Sequence, residues 1–226
     1  MKRAILWDMD GTLLDSEPAH EAAFADAVAE LGLTLPPGFH DQLLGVAAQD
    51  VHRALVDQVG IGLGFPAWMA IKWRHYQRHA ASVHRRGPVA ELALRLAGRA
   101  VPMALVSNST AEEVRLNMVA TGMDRIIPLQ FSRADVTHGK PAPDGYLLAA
   151  QRLGLPPADC LVVEDSLVGA RAGIAAGMPV LYHPQFPLGP TQAPPSGAMY
   201  LAPDRHPGPI VEGFLANATL TTEVLP

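Results

Sequence analysis

Four short apolar runs constrain this chain more than any other feature: Ala4-Ile5-Leu6-Trp7, Val101-Pro102-Met103-Ala104-Leu105-Val106, Cys160-Leu161-Val162-Val163 and Pro179-Val180-Leu181-Tyr182. None alternates with polar residues, and each is bounded by polar or turn residues, the pattern of strands buried on both faces of a parallel sheet. Helical segments separate them. Ser109-Thr110-Ala111-Glu112 has the form of a capping box that opens a helix running to about Thr121, with Gly122 placed to end it. Asp144 to Leu153, closed by Gly154, and Ser166 to Ala176, closed by Gly177, predict two more. Strand and helix in this alternation predict an α/β fold built on a doubly wound parallel sheet.

The alternation breaks between Asp15 and about Ser82, where helical patterns occur without a convincing strand. Ser16 can cap a helix with Pro18 in its first turn, continuing through Phe24, Val28 and Leu31 to Gly32. Leu43-Leu44-Gly45 marks a turn, and further helices are expected from Asp50 to about Val59 and from Ala67 to about His79. The domain reading is therefore a core of residues 1–14 and 83–226 with an inserted helical domain, 15–82, placed as a lid over the sheet's C-terminal edge. A length of 226 residues suits a core of about 150 residues plus such an insertion. From His183 to Pro209 the tail is crowded with Pro and Gly and is expected to be irregular, with a short helix at Ile210–Leu215.

Net charge is −5, which argues against general nucleic-acid binding, a property that needs clustered Lys and Arg. The basic cluster His84-Arg85-Arg86 reads as a solvated helix end or linker. Cys160 is the only cysteine, so no intrachain disulfide forms, and its place at the head of an apolar run reads as a buried structural thiol. The apolar run behind Met1-Lys2-Arg3 stops at Asp8, too short for a signal core. No segment approaches about 20 uncharged apolar residues. The expectation is a soluble, cytoplasmic protein with no membrane partner.

Polar groups stand at the C-terminal ends of the runs, where open α/β sheets bind ligands. Asp8 and Asp10 follow the first, with Gly11 allowing the backbone to turn. Ser107-Asn108 follow the second and Glu164-Asp165 the third, while Lys140 sits in the loop Gly139-Lys140-Pro141-Ala142-Pro143-Asp144. Four carboxylates so placed repel one another unless a cation sits among them. Hard oxygen donors select Mg²⁺, which binds one or two carboxylates plus a substrate phosphate. A hydroxyl, an ammonium and turn N–H groups on the other side suit a tetrahedral dianion. One Asp can then attack phosphorus while the other protonates the leaving oxygen.

In this order, Asp8-Met9-Asp10-Gly11-Thr12, Ser107, Lys140 and Glu164-Asp165 resemble the four motifs of the haloacid dehalogenase superfamily, over residues 4 to about 182. Asp15-Ser16-Glu17-Pro18 and Glu164-Asp165-Ser166 with Gly169 are similar to its β-phosphoglucomutase and phosphoglycolate phosphatase branch, and the inserted helices resemble that branch's C1-type cap. The resemblance implies that Asp8 is the nucleophile, forming an aspartyl-phosphate. It implies that Asp10 is the proton donor and then the base, with its backbone carbonyl helping to hold Mg²⁺. Asp165 would bind the metal directly, and Glu164 directly or through water. Ser107 and Lys140 would hold the phosphoryl oxygens, with the amides around Met9-Asp10 and at Asn108 completing the cradle and Gly11 also on the substrate side. On the substrate side the resemblance points to Glu17, His20 and Gly45.

Taken singly these residues are unremarkable: an Asp-x-Asp turn, a loop lysine, a strand-end serine and helix-start carboxylates. They gain meaning together. Asp10 selects phosphate-ester chemistry, because family dehalogenases lack a carboxylate there and phosphonatases place Ala. The mutase's cap segment Gly-Val-Ser-Arg reads here as Gly45-Val46-Ala47-Ala48, without the arginine that grips a second phosphate. Trp68 and Trp73 read as packing rather than a substrate stack. The expectation is a Mg²⁺-dependent phosphatase of small phosphomonoesters, a monomer or weak homodimer, with a phosphomutase as the nearest alternative enzyme. A non-catalytic binder of phosphorylated metabolites is the alternative from another class, and retention of Asp8, Asp10 and Lys140 weighs against it.

Overall fold

In the computed structural model, which describes residues 2–39, 48–189 and 192–217, the strands are β1 (Ala4–Trp7), β2 (Leu14–Asp15), β3 (His84–Arg85), β4 (Met103–Val106), β5 (Gln130–Phe131), β6 (Cys160–Glu164), β7 (Val180–Tyr182) and β8 (Met199–Tyr200). The helices are α1 (Glu17–Glu30), α2 (Ala48–Ala54), α3 (Phe65–His79), α4 (Gly87–Gly98), α5 (Ala111–Ala120), α6 (Asp144–Leu153), α7 (Leu167–Ala175) and α8 (Gly208–Leu215). The chain divides into two compact units, Met1–Ser16 with Val83–Pro226, and Glu17–Ser82. No helix among the described residues is long and apolar enough to cross a membrane.

In the first unit, six of the described strands form one parallel sheet in the order β5-β4-β1-β6-β7-β8. β1 and β6 are buried at every position, as unalternating apolar strands must be when helices cover both faces. From β1 the chain winds outward through β4 to β5, then returns to β6 and winds the other way. The strand order thus reverses beside β1, so the ends of β1, β4 and β6 flank the crevice where ligands enter such sheets. The core below them joins Leu6, Val106, Val162, Tyr146 and Cys160. Cys160 is the buried thiol expected; burial pushes its pKa up to about 11.

The second unit has its own core, in which Phe24 of α1 meets Trp68 of α3 edge to face at 5.6 Å, with Leu55 and Ile61 around them. Trp68 is therefore packing, as expected. A line of charge also ties α1 to α3. His75 Nε2 lies 2.7 Å from Glu30, His79 Nε2 lies 2.8 Å from Asp26, and Arg74 also reaches Glu30.

Four sequence expectations need correction. β2, β3, β5, β8 and helix α4 were not foreseen: the strands, with two residues each, are too short to show a period. β8 also extends the sheet into the tail, pairing with β7, so the stretch after Tyr182 is not wholly irregular. The helix expected from Ser109 is capped by Thr110, whose Oγ1 accepts from Glu113 N at 3.2 Å. Ser109 spends its hydroxyl elsewhere, on Asp10. Finally, His84-Arg85-Arg86 fits the solvated helix end or linker only in part: His84 and Arg85 are exposed and Arg86 is the N-cap residue of α4, but the first two are strand and the third is not solvated surface. His84 and Arg85 form β3, antiparallel to β2, and Arg86 is half-buried with backbone partners. The turn expected at Leu43-Leu44-Gly45 lies outside the described residues.

Replacing Thr110 with Ala should lower unfolding free energy by about 1 kcal/mol, the usual cost of losing a helix cap. Chemical denaturation measures this, and an unchanged stability would return the cap to Ser109.

Candidate active site

Lys140 is the centre of the constellation. Its Nζ lies 2.5 Å from Asp8 Oδ1, 2.6 Å from Glu164 Oε1 and 2.8 Å from the Val106 carbonyl. The ends of β1, β4 and β6 thus converge on one ammonium. The Lys140 loop is held from both directions by Asn108, whose Oδ1 accepts from Lys140 N at 2.8 Å while its Nδ2 donates to Lys140 O at 3.1 Å. Tyr146, one turn into α6, packs its ring 5.1 Å from the ammonium. Burial alone would push Lys140 toward its neutral form, but Asp8 and Glu164 outweigh it and raise its pKa.

Carboxylates outnumber this cation. Ligand atoms of Asp8, Glu164 and Asp165 all lie within 4.8 Å of one another. Burial raises the Asp8 pKa well above the usual carboxylate value, and repulsion from Glu164 adds to it, against the opposing pull of Lys140. Asp165 is pushed up to about 7, by burial first and by Glu164 second. Such a cluster of hard oxygen donors, short of positive charge, fits a divalent cation. The backbone is shaped to it: Gly11 has φ +74°, and a Cβ there would lie 2.1 Å from Asp165 Oδ2. Thr12 Oγ1 donates to the other oxygen of Asp165 at 3.1 Å.

Glu164 differs from its neighbours because both its oxygens are occupied. Oε1 accepts from Lys140 and, at 2.8 Å, from Tyr146; Oε2 accepts from Ser166 Oγ at 2.9 Å and Ser166 N at 3.2 Å. It is fully buried.

Asp10 faces a different environment. Ser16 donates to its Oδ1 at 2.6 Å and Ser109 to its Oδ2 at 2.9 Å. Two carboxylates one residue apart therefore sit one against an ammonium and the other against two hydroxyls. Ser107 is buried at the end of β4, and its Oγ accepts from Ser109 N at 3.0 Å.

The structure thus brings Asp8, Ser107, Asn108, Lys140, Glu164 and Asp165 to one sheet edge, with Asp10 and Gly11 on the turn that follows β1. Glu17, exposed in the first turn of α1, and His20, stacked on Tyr76 at 4.5 Å, belong to the other unit. Gly45 lies outside the described residues. Sequence reasoning missed Ser16, Ser109 and Tyr146 as partners of the carboxylates. Tyr146 carried a signal, because a tyrosine in an apolar helix face needs a partner for its hydroxyl.

Known proteins resemble the chain over most of its length. A family model described as haloacid dehalogenase-like hydrolase matches residues 2–177. Hexitol phosphatase A of Escherichia coli (strain K12) is 33% identical over 183 residues, covering 79% of this chain and 82% of that protein. Fructose-1-phosphate phosphatase YqaB of the same organism is 29% identical over 174 residues, covering 77% and 92%. Among solved structures, CbbY from Rhodobacter sphaeroides in complex with phosphate gives a TM-score of 0.76 at 26% identity, covering 89% of this chain and 93% of that one.

The raised Asp165 pKa has a pH consequence. The folded state holds this proton from the ordinary value of 3.8 up to about 7, so cation-free protein loses stability as pH rises through that window. A divalent cation should displace the proton. Its stabilising shift in melting temperature should be larger at about pH 8 than at about pH 5. Equal shifts at both would mean that the cation binds elsewhere.

Proposed function

Because the chain belongs to the haloacid dehalogenase-like hydrolases, we propose that it is a Mg²⁺-dependent phosphatase of small phosphomonoesters, sugar or organic-acid phosphates, working through an aspartyl-phosphate. The observation that carries this reading is the division between the two aspartates: Asp8 against Lys140 in a cation-seeking cluster, Asp10 apart from it on two hydroxyls.

In this mechanism an Asp8 carboxylate oxygen attacks phosphorus and the ester P–O bond breaks. Asp10 gives its proton to the departing alcohol. A water molecule then attacks the phosphoryl group on Asp8, Asp10 takes the water's proton, and inorganic phosphate leaves with Asp8 regenerated. Lys140 and Ser107 hold the phosphoryl oxygens. Lys140 also offsets repulsion between Asp8 and the incoming dianion. Asp8, Asp165 and the Asp10 carbonyl would hold Mg²⁺, which when bound neutralises charge on the transferring group. Glu164, whose oxygens already carry four donors, would act on the metal through water while it fixes Lys140.

The helical unit serves as the cap that excludes water and selects the leaving group, with Glu17 and His20 as its candidates for substrate contact. Its arginines favour hydrolysis over mutase chemistry. Arg53 is paired with Asp50 at 2.9 Å and Arg74 with Glu30, so a second phosphate would have to compete with a carboxylate for either.

Asp8→Asn should abolish Mg²⁺-dependent release of phosphate across a panel of phosphorylated metabolites. Asp10→Asn should slow it about 100- to 10,000-fold, the range for a lost general acid and base. Wild-type rates in Asp8→Asn would refute the covalent route. With a hexose 1-phosphate, free phosphate is the expected product; accumulation of hexose 6-phosphate would make the enzyme a mutase.

A further inference from the structure

Arg86 stands at the point where the chain re-enters the first unit, directly after β3 and before α4. Its guanidinium reaches three backbone carbonyls. Nη1 donates to Gly11 O at 2.6 Å and to His183 O at 3.1 Å, and Nη2 donates to Pro184 O at 2.9 Å. Its own backbone N donates to Leu13 O at 2.8 Å.

These bonds complete the turn that carries Asp10. Within that turn Met9 O receives the N–H groups of Thr12, Leu13 and Leu14, and Leu14 O receives that of Gly11. The carbonyls of Gly11 and Leu13 face outward, and both are taken by Arg86. On its other side the Gly11 peptide is pressed against Asp165, where a Cβ would collide. The tail is tied into the same assembly, because His183 N donates to Glu164 O at 2.7 Å. One planar fork therefore links the turn after β1 to the segment after β7, and that segment is itself bonded to the end of β6. A lysine could satisfy one of these carbonyls but not three in a plane.

We propose that Arg86 is a positioning residue: through the Gly11 carbonyl it fixes the Asp10–Gly11 peptide against Asp165, setting both the cation-binding oxygens and the placement of the Asp10 proton donor. This rests on the phosphatase reading for its catalytic consequence. The alternative is that Arg86 only staples the tail, which Gln185 also does by donating to Asp15 at 3.1 Å.

The test compares Arg86→Met, Arg86→Lys and Gln185→Ala in the full chain. It reads kcat and KM on the best substrate of a phosphomonoester panel, melting temperature, and the Mg²⁺ concentration that half-saturates the Mg²⁺-induced rise in melting temperature. The expected result for Arg86→Met is a kcat lowered about 10- to 100-fold, as for a small misplacement of reacting groups, with KM nearly unchanged and a higher half-saturating Mg²⁺ concentration. Arg86→Lys should fall between Met and wild type, and Gln185→Ala should match wild type in kcat and Mg²⁺ response. If Arg86→Met does not fold, Arg86→Lys carries the comparison. Wild-type kcat and Mg²⁺ response in the Arg86 variants, with only the melting temperature lowered, would overturn the proposal. A wild-type protein without Mg²⁺-dependent phosphatase turnover would instead sink the activity reading, and the Mg²⁺ shift would still judge Arg86.

Discussion

The buried ammonium of Lys140 is the contact on which the rest of the site depends. Asp8 and Glu164 end two adjacent parallel strands, so their carboxylates are forced together where water is scarce, and a cation must separate them. Lysine supplies that charge from a loop whose position is itself fixed: Asn108, at the end of a third strand, bonds its backbone in both directions. Tyr146 and Ser166 then satisfy the lone pairs of Glu164 that Lys140 leaves. Asn108 follows β4, Lys140 and Tyr146 follow β5, and Ser166 follows β6, so the sheet order is what makes the charge balance achievable.

The balance is incomplete by design of the turn after β1. Asp8 and Asp10 are separated by one residue, yet the turn that begins at Met9, whose carbonyl receives the N–H groups of Thr12, Leu13 and Leu14, puts them in different surroundings. Asp8 remains in the crowded, buried cluster. Asp10 leaves it and meets the hydroxyls of Ser16 and Ser109. Lys140 pulls Asp8 toward the ionised form that attack requires, against the burial that raises its pKa, while Asp10 is placed on hydroxyl donors away from that ammonium. The difference in role is thus a difference in partners, imposed by backbone geometry.

Much of this was legible in the chain. An unalternating apolar run that ends in carboxylates announces a buried parallel strand with acid at its C-terminal edge, and β1 and β6 are that. Two kinds of information were not legible. β5 and β8 are two-residue strands with no period to detect. Arg86 binds carbonyls of residues 11, 183 and 184, and a backbone carbonyl leaves no mark in sequence, so Arg86 looked as solvated as its exposed neighbours His84 and Arg85. Ser109 shows the same limit on a smaller scale. A serine beside a threonine before a helix offers two possible caps, and only the nearby Asp10 carboxylate decides which hydroxyl is free to cap.

The choice between hydrolysis and phosphoryl relocation turns on a second anion site, because a mutase must hold phosphate at both ends of its intermediate. Gly45-Val46-Ala47-Ala48 brings no cation to the segment where the related mutase places one. The described arginines of the helical unit each already have a partner. Arg53 is paired with Asp50 on its own helix, while Arg74 and Arg78 are drawn into the network of Glu30 and His75 that joins α1 to α3. To grip a phosphate, any of these would first have to give up an existing partner, and for Arg74 that partner helps to fasten the two helices. A neutral or hydroxyl-bearing leaving group asks nothing of them. Under the phosphatase proposed above, a substrate with a single phosphate asks for none of these exchanges, and its product departs uncharged or with a carboxylate.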